Sequence, residues 1–421
     1  YYNRVVNLAE QHAKAIVDFA TNFHDTTFIK EVNESEGNVV FDNLKTDKAG
    51  TTSSLAHVDL NATYEQITWG GLTPVVVTGV TPTITEIDKE YAVIHMSYVV
   101  ESMNDKKSHY YQVDEYYNVT YNRSSETVKL LAFDRYQESF FDSGYISKDR
   151  NSISMGVTNE PAEYVTSEDY GILAFVRLGQ LWMYKYNDSS LTNIFSYPQD
   201  SFSDARTLNT NLDINIADMD ADGNIYFVVY GYMNRGEHEG EVGVGIYYFD
   251  VERNLIQEKA FIPSKKSYAI AADELGKMVY YNHAEEQLYV LADGTLYQGD
   301  LKKNKQTTLA ENLKEGQYAV SGDGHLMAYE SERNKKGGTE IQVMNLSSLE
   351  TNTVEAASGE KISPLGFVNG DFIYGKMKSE DAGKKASGES ITPMYELEIR
   401  NSKNKKVASY SFVDKGIYIS D

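Results

Sequence analysis

Three aspartates at alternate positions, Asp218, Asp220 and Asp222, precede Gly223 and match the first half of a calcium-binding loop. Such a loop takes oxygen ligands from positions 1, 3 and 5 and a bidentate Glu from position 12. Position 12, counted from Asp218, is Val229, so the triad is a weak calcium candidate and a plain turn is the stronger expectation. A second constellation is Tyr232, Asn234, Arg235, Glu237, His238 and Glu239, set between Gly231 and Gly240. It gathers aromatic, amide, guanidinium, carboxylate and imidazole groups on one loop. Function tends to sit on loops held by rigid scaffolds, so this segment is expected to contribute to a binding surface; the bland alternative is a charged hairpin tip. Acidic pairs such as Asp273 and Glu274 would suit a glycosidase or lyase, which places two carboxylates about 5–10 Å apart. With 62 acidic residues, the sequence singles out no pair.

Several other chemistries lack their residues. The eight histidines show no His-Glu-x-x-His spacing, and there is no Gly-x-Ser-x-Gly elbow and no phosphate-binding glycine loop. Cys is 0, which removes thiolate catalysis, disulfides and cysteine-ligated zinc. No catalytic residue is assigned and no cofactor is expected. The formal charge is 39 − 62 = −23, which argues against nucleic acid and against anionic lipid surfaces, since both need clustered Lys and Arg.

The elements that must position these groups announce themselves by repetition. Six glycine-anchored turns recur at Gly171, Gly223, Gly276, Gly324, Gly370 and Gly416, with steps of 52, 53, 48, 46 and 46 residues. After each anchor from Gly171 to Gly370 comes an aromatic or β-branched strand, a variable loop, a third strand ending near Asp or Asn, a polar turn and a fourth strand. A four-stranded sheet of this size cannot bury both faces alone, and stacking such sheets radially buries them against one another. The pattern predicts an all-β chain, a β-propeller of four-stranded blades.

The stretches Ser321-Gly322-Asp323-Gly324-His325-Leu326-Met327-Ala328-Tyr329 and Asp220-Ala221-Asp222-Gly223-Asn224-Ile225-Tyr226-Phe227 resemble the repeat of TolB-type, WD40-like β-propellers of the exported or membrane-anchored bacterial kind. The resemblance covers roughly residues 160–421. It implies a fold and says little of function, because that superfamily includes scaffolds, sensors and accessory domains of enzymes.

A further unit fits residues 82–135, with strands over 83–86, 91–100, 109–121 and 127–134. Five repeats follow. Residues 26–81 are expected to complete a last blade with the strands around Gly416, which gives seven blades, with six or eight as alternatives. Residues 136–160 then read as an insertion. In residues 1–25, Val5, Leu8, His12, Ile16, Phe19 and Phe23 recur at helical steps and predict an N-terminal α-helix, either a stalk or a helix packed on the domain. The propeller proper spans 82–421.

The chain begins at Tyr1 without Met, and together with the absence of Cys this gives the expectation of an exported, extracytoplasmic bacterial protein held by an N-terminal anchor. The functional expectation is a non-catalytic binding or scaffold module for a protein or a cell-envelope polymer. The alternatives are a carbohydrate-active propeller enzyme, either a glycoside hydrolase or a lyase, and a small-ligand sensor ectodomain.

Overall fold

The computed structural model describes residues 12–31, 38–45, 54–88, 91–104, 107–196, 211–272, 274–276, 278–282, 284–303, 305–331, 338–384, 390–411 and 413–419. The chain divides into two compact units, Tyr1–Tyr164 with Leu173–Thr210, and Val165–Ile172 with Asn211–Asp421.

The first unit is built on one helix and one long-stranded sheet. Helix α1 (Ala13–Thr27) buries Ile16, Ala20 and Phe23, which lie at i, i+4 and i+7 and so share one face. Helix α2 (Val39–Asn43) follows a cap in which Asn38 Oδ1 accepts the N–H groups of Val40 and Phe41. Strand β1 (His57–Asp59) comes next, and then helix α3 (Tyr64–Ile67), opened by a reciprocal cap between Thr63 and Gln66. Strands β2 (Val75–Val76), β3 (Thr83–Ile87), β4 (Tyr91–Asn104), β5 (Lys107–Asn122) and β6 (Thr127–Ser139) complete an antiparallel sheet ordered β1-β6-β5-β4-β2, with β3 also on β4. Alternation sorts its faces. Ile94, Met96, Tyr98, Val113, Tyr117 and Phe133 turn inward onto α1, where Phe23 meets Tyr117 edge-on at 5.7 Å.

A second sheet of four strands, β7 (Tyr164–Thr166), β8 (Ile172–Arg177), β9 (Gln180–Lys185) and β10 (Ser190–Phe195), is an up-and-down meander. Phe141 packs edge-on against Phe175 and Trp182. Arg177 donates to the carbonyls of Ser139 and Val157 and to Thr158 Oγ1, which ties down the segment between β6 and β7.

Four more meanders make up the second unit. They are β11 (Leu212–Met219), β12 (Ile225–Tyr232), β13 (Val242–Asp250) and β14 (Leu255–Pro263); then, after helix α4 (Tyr268–Ala271), β15 (Val279–Asn282), β16 (Gln287–Ala292), β17 (Thr295–Asp300) and β18 (Lys305–Ala310); then β19 (Tyr318–Val320), β20 (Leu326–Glu330), β21 (Glu340–Asn345) and β22 (Thr351–Glu355). The last is β23 (Glu360–Val368), β24 (Asp371–Lys378), β27 (Met394–Arg400) and β28 (Lys406–Ser411), interrupted by a two-stranded hairpin of β25 (Gly383–Lys384) and β26 (Ser390–Ile391).

Consecutive sheets of this unit pack face to face, and the two middle ones are covered on both faces. On β16, Leu288 and Val290 pack with Val228, Val244 and Ile246, while Tyr289 and Leu291 pack on the opposite side with Met327 and Leu346. Ala328, Ile341 and Val354 in turn meet Ile362, Phe372 and Tyr374. Each such side chain contributes about 1.5–3 kcal/mol on burial, so the contacts between neighbouring sheets are a large part of what holds them. Serial face-to-face stacking of four-stranded meanders is blade packing. The fold is all-β, a β-propeller of four-stranded blades with an N-terminal α-helix.

One device closes the third turn of every meander. Asp188, Asp250, Asp300, Asn345 and Asn401 each accept, through Oδ1, a backbone N–H two or three residues on. Asn122, between β5 and β6, does the same. The polar residues expected at the ends of the third strands are therefore turn caps.

Among the described residues six sheets have four or more strands, and five of them have four, which matches the six-blade alternative. In the first, the four strands expected over 82–135 are present, but α1 covers one face and β1 and β2 extend the edges. Among the described residues of 26–81, Val58, Leu60, Ile67 and Trp69 are buried in the core of this sheet. Among the described residues around Gly416, 413–419, there is no strand, and Ile419 makes an isolated bridge to Met394. Gly276 precedes the first strand of its sheet, because residues 268–271 are helical where a strand was expected. Of the helix expected in residues 1–25, residues 1–11 lie outside the described residues, and the remainder is the packed alternative. Among the described residues no helix is long and apolar enough to cross a membrane.

Candidate functional site

The two constellations singled out in the sequence are both turn structures. Asp220 Oδ1 accepts the backbone N–H groups of Asp222, Gly223 and Asn224, and its Oδ2 accepts from the Asn224 amide. Its carboxylate is thereby spent on the β11–β12 turn, with Asp218 within β11 and Asp222 exposed. Among the described residues, no group of three or more His, Asp or Glu side chains could hold a metal ion. The other acidic first turns follow the same logic. Asp169 Oδ1 accepts from Ser167 Oγ and Gly171 N, and Asp323 Oδ1 accepts from Ser321 Oγ and His325 N. Both serines accept an N–H five residues on, from Ile172 and Leu326. Of the acidic pair Asp273 and Glu274, Asp273 lies outside the described residues, and Glu274 accepts from Lys266 and from Gly294 N.

The loop from Tyr232 to Glu239 folds back on itself. Met233 N donates to Glu241 O and Gly240 N to Met233 O, both at 2.8 Å. His238 lies flat on Phe261, with ring centroids 3.8 Å apart, and its Nε2 donates to Glu258 Oε1 at 2.9 Å. Asn234 is buried and Tyr232 and Arg235 are half-buried, so Glu237 and Glu239 are the exposed members of the set. The loop brings its residues together as a pinned hairpin tip, and His238 serves to fasten it to β14.

Pairing with one carboxylate is general for histidine here. Six of the seven described histidines, His24, His57, His95, His109, His238 and His325, sit beside a single Asp or Glu. Two of these pairs lie together and build a feature that the sequence reading missed.

On the outward face of the first sheet, β5 carries Asp114-Glu115-Tyr116 and β6 carries Asp134-Arg135-Tyr136. The strands are antiparallel, with Asp114 opposite Tyr136 and Tyr116 opposite Asp134. Alternation turns Glu115 and Arg135 into the core and leaves both Asp-Tyr pairs outside. His95 of β4 stacks on Tyr116 at 4.6 Å and 12°, and His57 of β1 stacks on Tyr136 at 4.5 Å and 4°. Each histidine is locked by the aspartate on the same strand as the tyrosine it stacks on: His95 Nε2 donates to Asp114 Oδ1 at 2.9 Å, and His57 Nε2 donates to Asp134 Oδ1 at 2.8 Å. The two tyrosine rings meet edge to face at 6.1 Å and stay 39% and 38% exposed. Asp114, Tyr116, Asp134 and Tyr136 line an open recess of about 470 Å³. The geometry offers two held aromatic surfaces and two carboxylates on rigid strands. The readable signal was the repeated Asp-x-Tyr, 134 − 114 = 20 residues apart, within two strongly alternating strands.

No protein-family model matches the chain, and no curated protein matches it. Among solved structures, the tricorn protease is similar at 12% identity and a TM-score of 0.29, over 78% of this chain and 30% of that one. Porphyromonas gingivalis dipeptidyl peptidase 4 is similar at 10% identity and a TM-score of 0.32, over 77% of this chain and 51% of that one. Kluyveromyces lactis Hsv2 is similar at 12% identity and a TM-score of 0.29, over 60% of this chain and 64% of that one. The chain thus spans under two thirds of the length of each of these proteins.

Proposed function

We propose that this chain is a non-catalytic binding or scaffold module, an extracytoplasmic β-propeller protein that engages a protein or a cell-envelope polymer. The observation that carries the reading is the outward His-Tyr-Asp face of β1, β4, β5 and β6. Its rings are already held in place by stacking and by histidine–carboxylate bonds. A surface fixed before binding avoids the entropic cost of ordering side chains. Export accords with the absence of Cys. The finer likeness to TolB-type, WD40-like repeats belongs to the same proposal and draws on the matching Ser167-x-Asp169 and Ser321-x-Asp323 turns.

A carbohydrate-active enzyme is the second reading, favoured by the two aspartates that share one recess. One experiment separates the two. The chain is incubated with isolated cell envelopes and with soluble envelope polysaccharides, and both co-sedimentation and release of reducing ends are measured. Retention without new reducing ends supports the binding module. Release of reducing ends that is lost in Asp114→Asn or Asp134→Asn sinks it in favour of the enzyme.

A further inference from the structure

We propose that the face built by His57, His95, Asp114, Tyr116, Asp134 and Tyr136 is a subsite for a neutral polysaccharide chain of hexopyranose units. The inference rests on the binding reading above and gives it a ligand class. Pyranose rings present C–H faces that pack on aromatic rings, and Tyr116 and Tyr136 stay 39% and 38% exposed with a histidine stacked on one face of each. Their hydroxyl groups need acceptors. Oδ1 of each aspartate is engaged by a histidine, which leaves Oδ2 of Asp114 and Asp134 to accept from a sugar. A charge-assisted hydrogen bond of this kind is roughly twice as strong as a neutral one.

The same chemistry argues against other occupants. A uronate or phosphate polymer would meet two carboxylates on a chain of net charge −23. An apolar ligand would strip water from both carboxylates without replacing their hydrogen bonds. A basic peptide is the nearest rival, through ion pairs and cation–π contacts. Against it, each carboxylate already has a histidine N–H donor, and the recess is open and shallow in residues, lined by four side chains with no enclosed slot for a long cationic one.

The test uses the full chain and isothermal titration with cellohexaose, maltohexaose and mannohexaose, alongside hexagalacturonate and an oligolysine peptide. The double variant Tyr116→Ala/Tyr136→Ala is titrated in parallel, with its melting temperature and far-UV circular dichroism checked against the parent. Both rings are solvent-facing, so the variant is expected to fold. The expected result is binding of at least one neutral hexasaccharide, weakened tenfold or more in the double variant, with hexagalacturonate and oligolysine bound far more weakly. Asp114→Asn, which keeps the shape and removes the charge, should weaken the same sugar about threefold to tenfold. Binding of no neutral hexasaccharide overturns the proposal, as does preference for oligolysine or for the uronate. A neutral sugar bound equally by parent and double variant removes this subsite but leaves the binding module standing. Cleavage of a sugar that still depends on Tyr116 and Tyr136 leaves the subsite standing and sinks the non-catalytic reading.

Discussion

Glu115 and Arg135 stand opposite each other on β5 and β6, both fully buried under helix α1. His24 of the helix reaches Glu115 Oε2 with Nδ1 at 2.8 Å, and the hydroxyls of Tyr98 and Tyr117 donate to the same carboxylate. Arg135 donates to the carbonyls of Ile67 and Gln66, and its guanidinium lies 3.9 Å above the Trp69 ring. Burial by itself raises the Glu115 carboxyl. The hydrogen bond and charge of His24, the charge of Arg135 and the Tyr117 hydroxyl outweigh it and hold the group below the ordinary carboxylate range. The helix is thus fastened to the sheet by a charge that water never reaches.

Breaking that cluster should be expensive. Glu115→Gln removes the carboxylate that His24 faces at 2.8 Å in a buried pair, and removing one partner of a buried pair costs about 3–5 kcal/mol. Tyr117→Phe removes one donor to a charged acceptor, at about 1.5–3 kcal/mol. Urea denaturation at pH 7 reads both. The pH dependence has a fixed sign: a depressed carboxyl stabilises above its unfolded value and loses that contribution as pH falls through its folded value. The difference between parent and Glu115→Gln should therefore shrink as the solution is acidified below the ordinary carboxylate range. A variant as stable as the parent at pH 7 would show that the cluster does not hold the helix.

The last blade carries a second pH-sensitive carboxylate. Glu398 is 2% exposed and is gripped by Lys376 and by Arg400, whose Nη2 lies 2.7 Å from Oε1. Burial raises its carboxyl, but the hydrogen bonds from Lys376 and Tyr374 and the charges of Lys376 and Arg400 prevail and bring it down to about 2. The group is depressed, so its contribution is present above about pH 4.5 and disappears between there and about pH 2. A fall of this size corresponds to stability on the order of 3 kcal/mol. Denaturation midpoints of the parent and Glu398→Gln should differ at pH 7 and converge toward pH 2; a gap that widens on acidification would contradict the assignment.

How much of this was legible in the sequence depends on the range of the interaction. The Asp-Gly and Asn-Gly turns are local, and five of the six anchors do have positive φ at the named glycine: Gly223, Gly276, Gly324, Gly370 and Gly416. At the sixth, Tyr170 takes the left-handed conformation at φ 58 in place of Gly171. The strands over 82–135 were legible for the same local reason. What covers them was not, since the pairing of His57–Asp59 with β6 and the seating of α1 join residues many tens of positions apart. The site was hidden by that same distance. His57, His95, Tyr116 and Tyr136 come from four strands, and only their register makes them neighbours. The Tyr232–Glu239 loop drew attention by composition, yet composition does not reveal that Phe261 and Glu258 would claim His238.

Two turn glycines with nearly the same backbone should respond differently to alanine. Gly276 has φ +79 and Gly370 has φ +82, so an L side chain at either is strained by about 1–2 kcal/mol. A Cβ at Gly370 meets open space, whereas at Gly276 it would run into the ring of Tyr230. Overpacking of that kind adds about 1–3 kcal/mol. Gly276→Ala should therefore lower the urea midpoint clearly more than Gly370→Ala. Equal losses would mean that Tyr230 moves aside freely and that the blade edge there is not packed as described.

The Asp218, Asp220 and Asp222 turn yields a test in which calcium and turn capping predict opposite results. Asp220 Oδ1 accepts three successive backbone N–H groups, so the carboxylate faces donors, and a cation placed there would have to displace them. Asp220→Ala leaves those three N–H groups to water and should cost about 1.5–4.5 kcal/mol, since each hydrogen bond contributes about 0.5–1.5 kcal/mol net. Asp220→Asn keeps the Oδ1 acceptor and should recover most of that loss. A calcium site would behave otherwise, because Asn gives up a ligand charge and affinity falls with charge count. Adding millimolar calcium, or removing it with a chelator, should leave the melting temperature of the parent unchanged. A calcium-dependent rise in melting temperature that Asp220→Asn abolishes would replace the turn cap with a metal site, because a ligand bound to the native state alone must stabilise it.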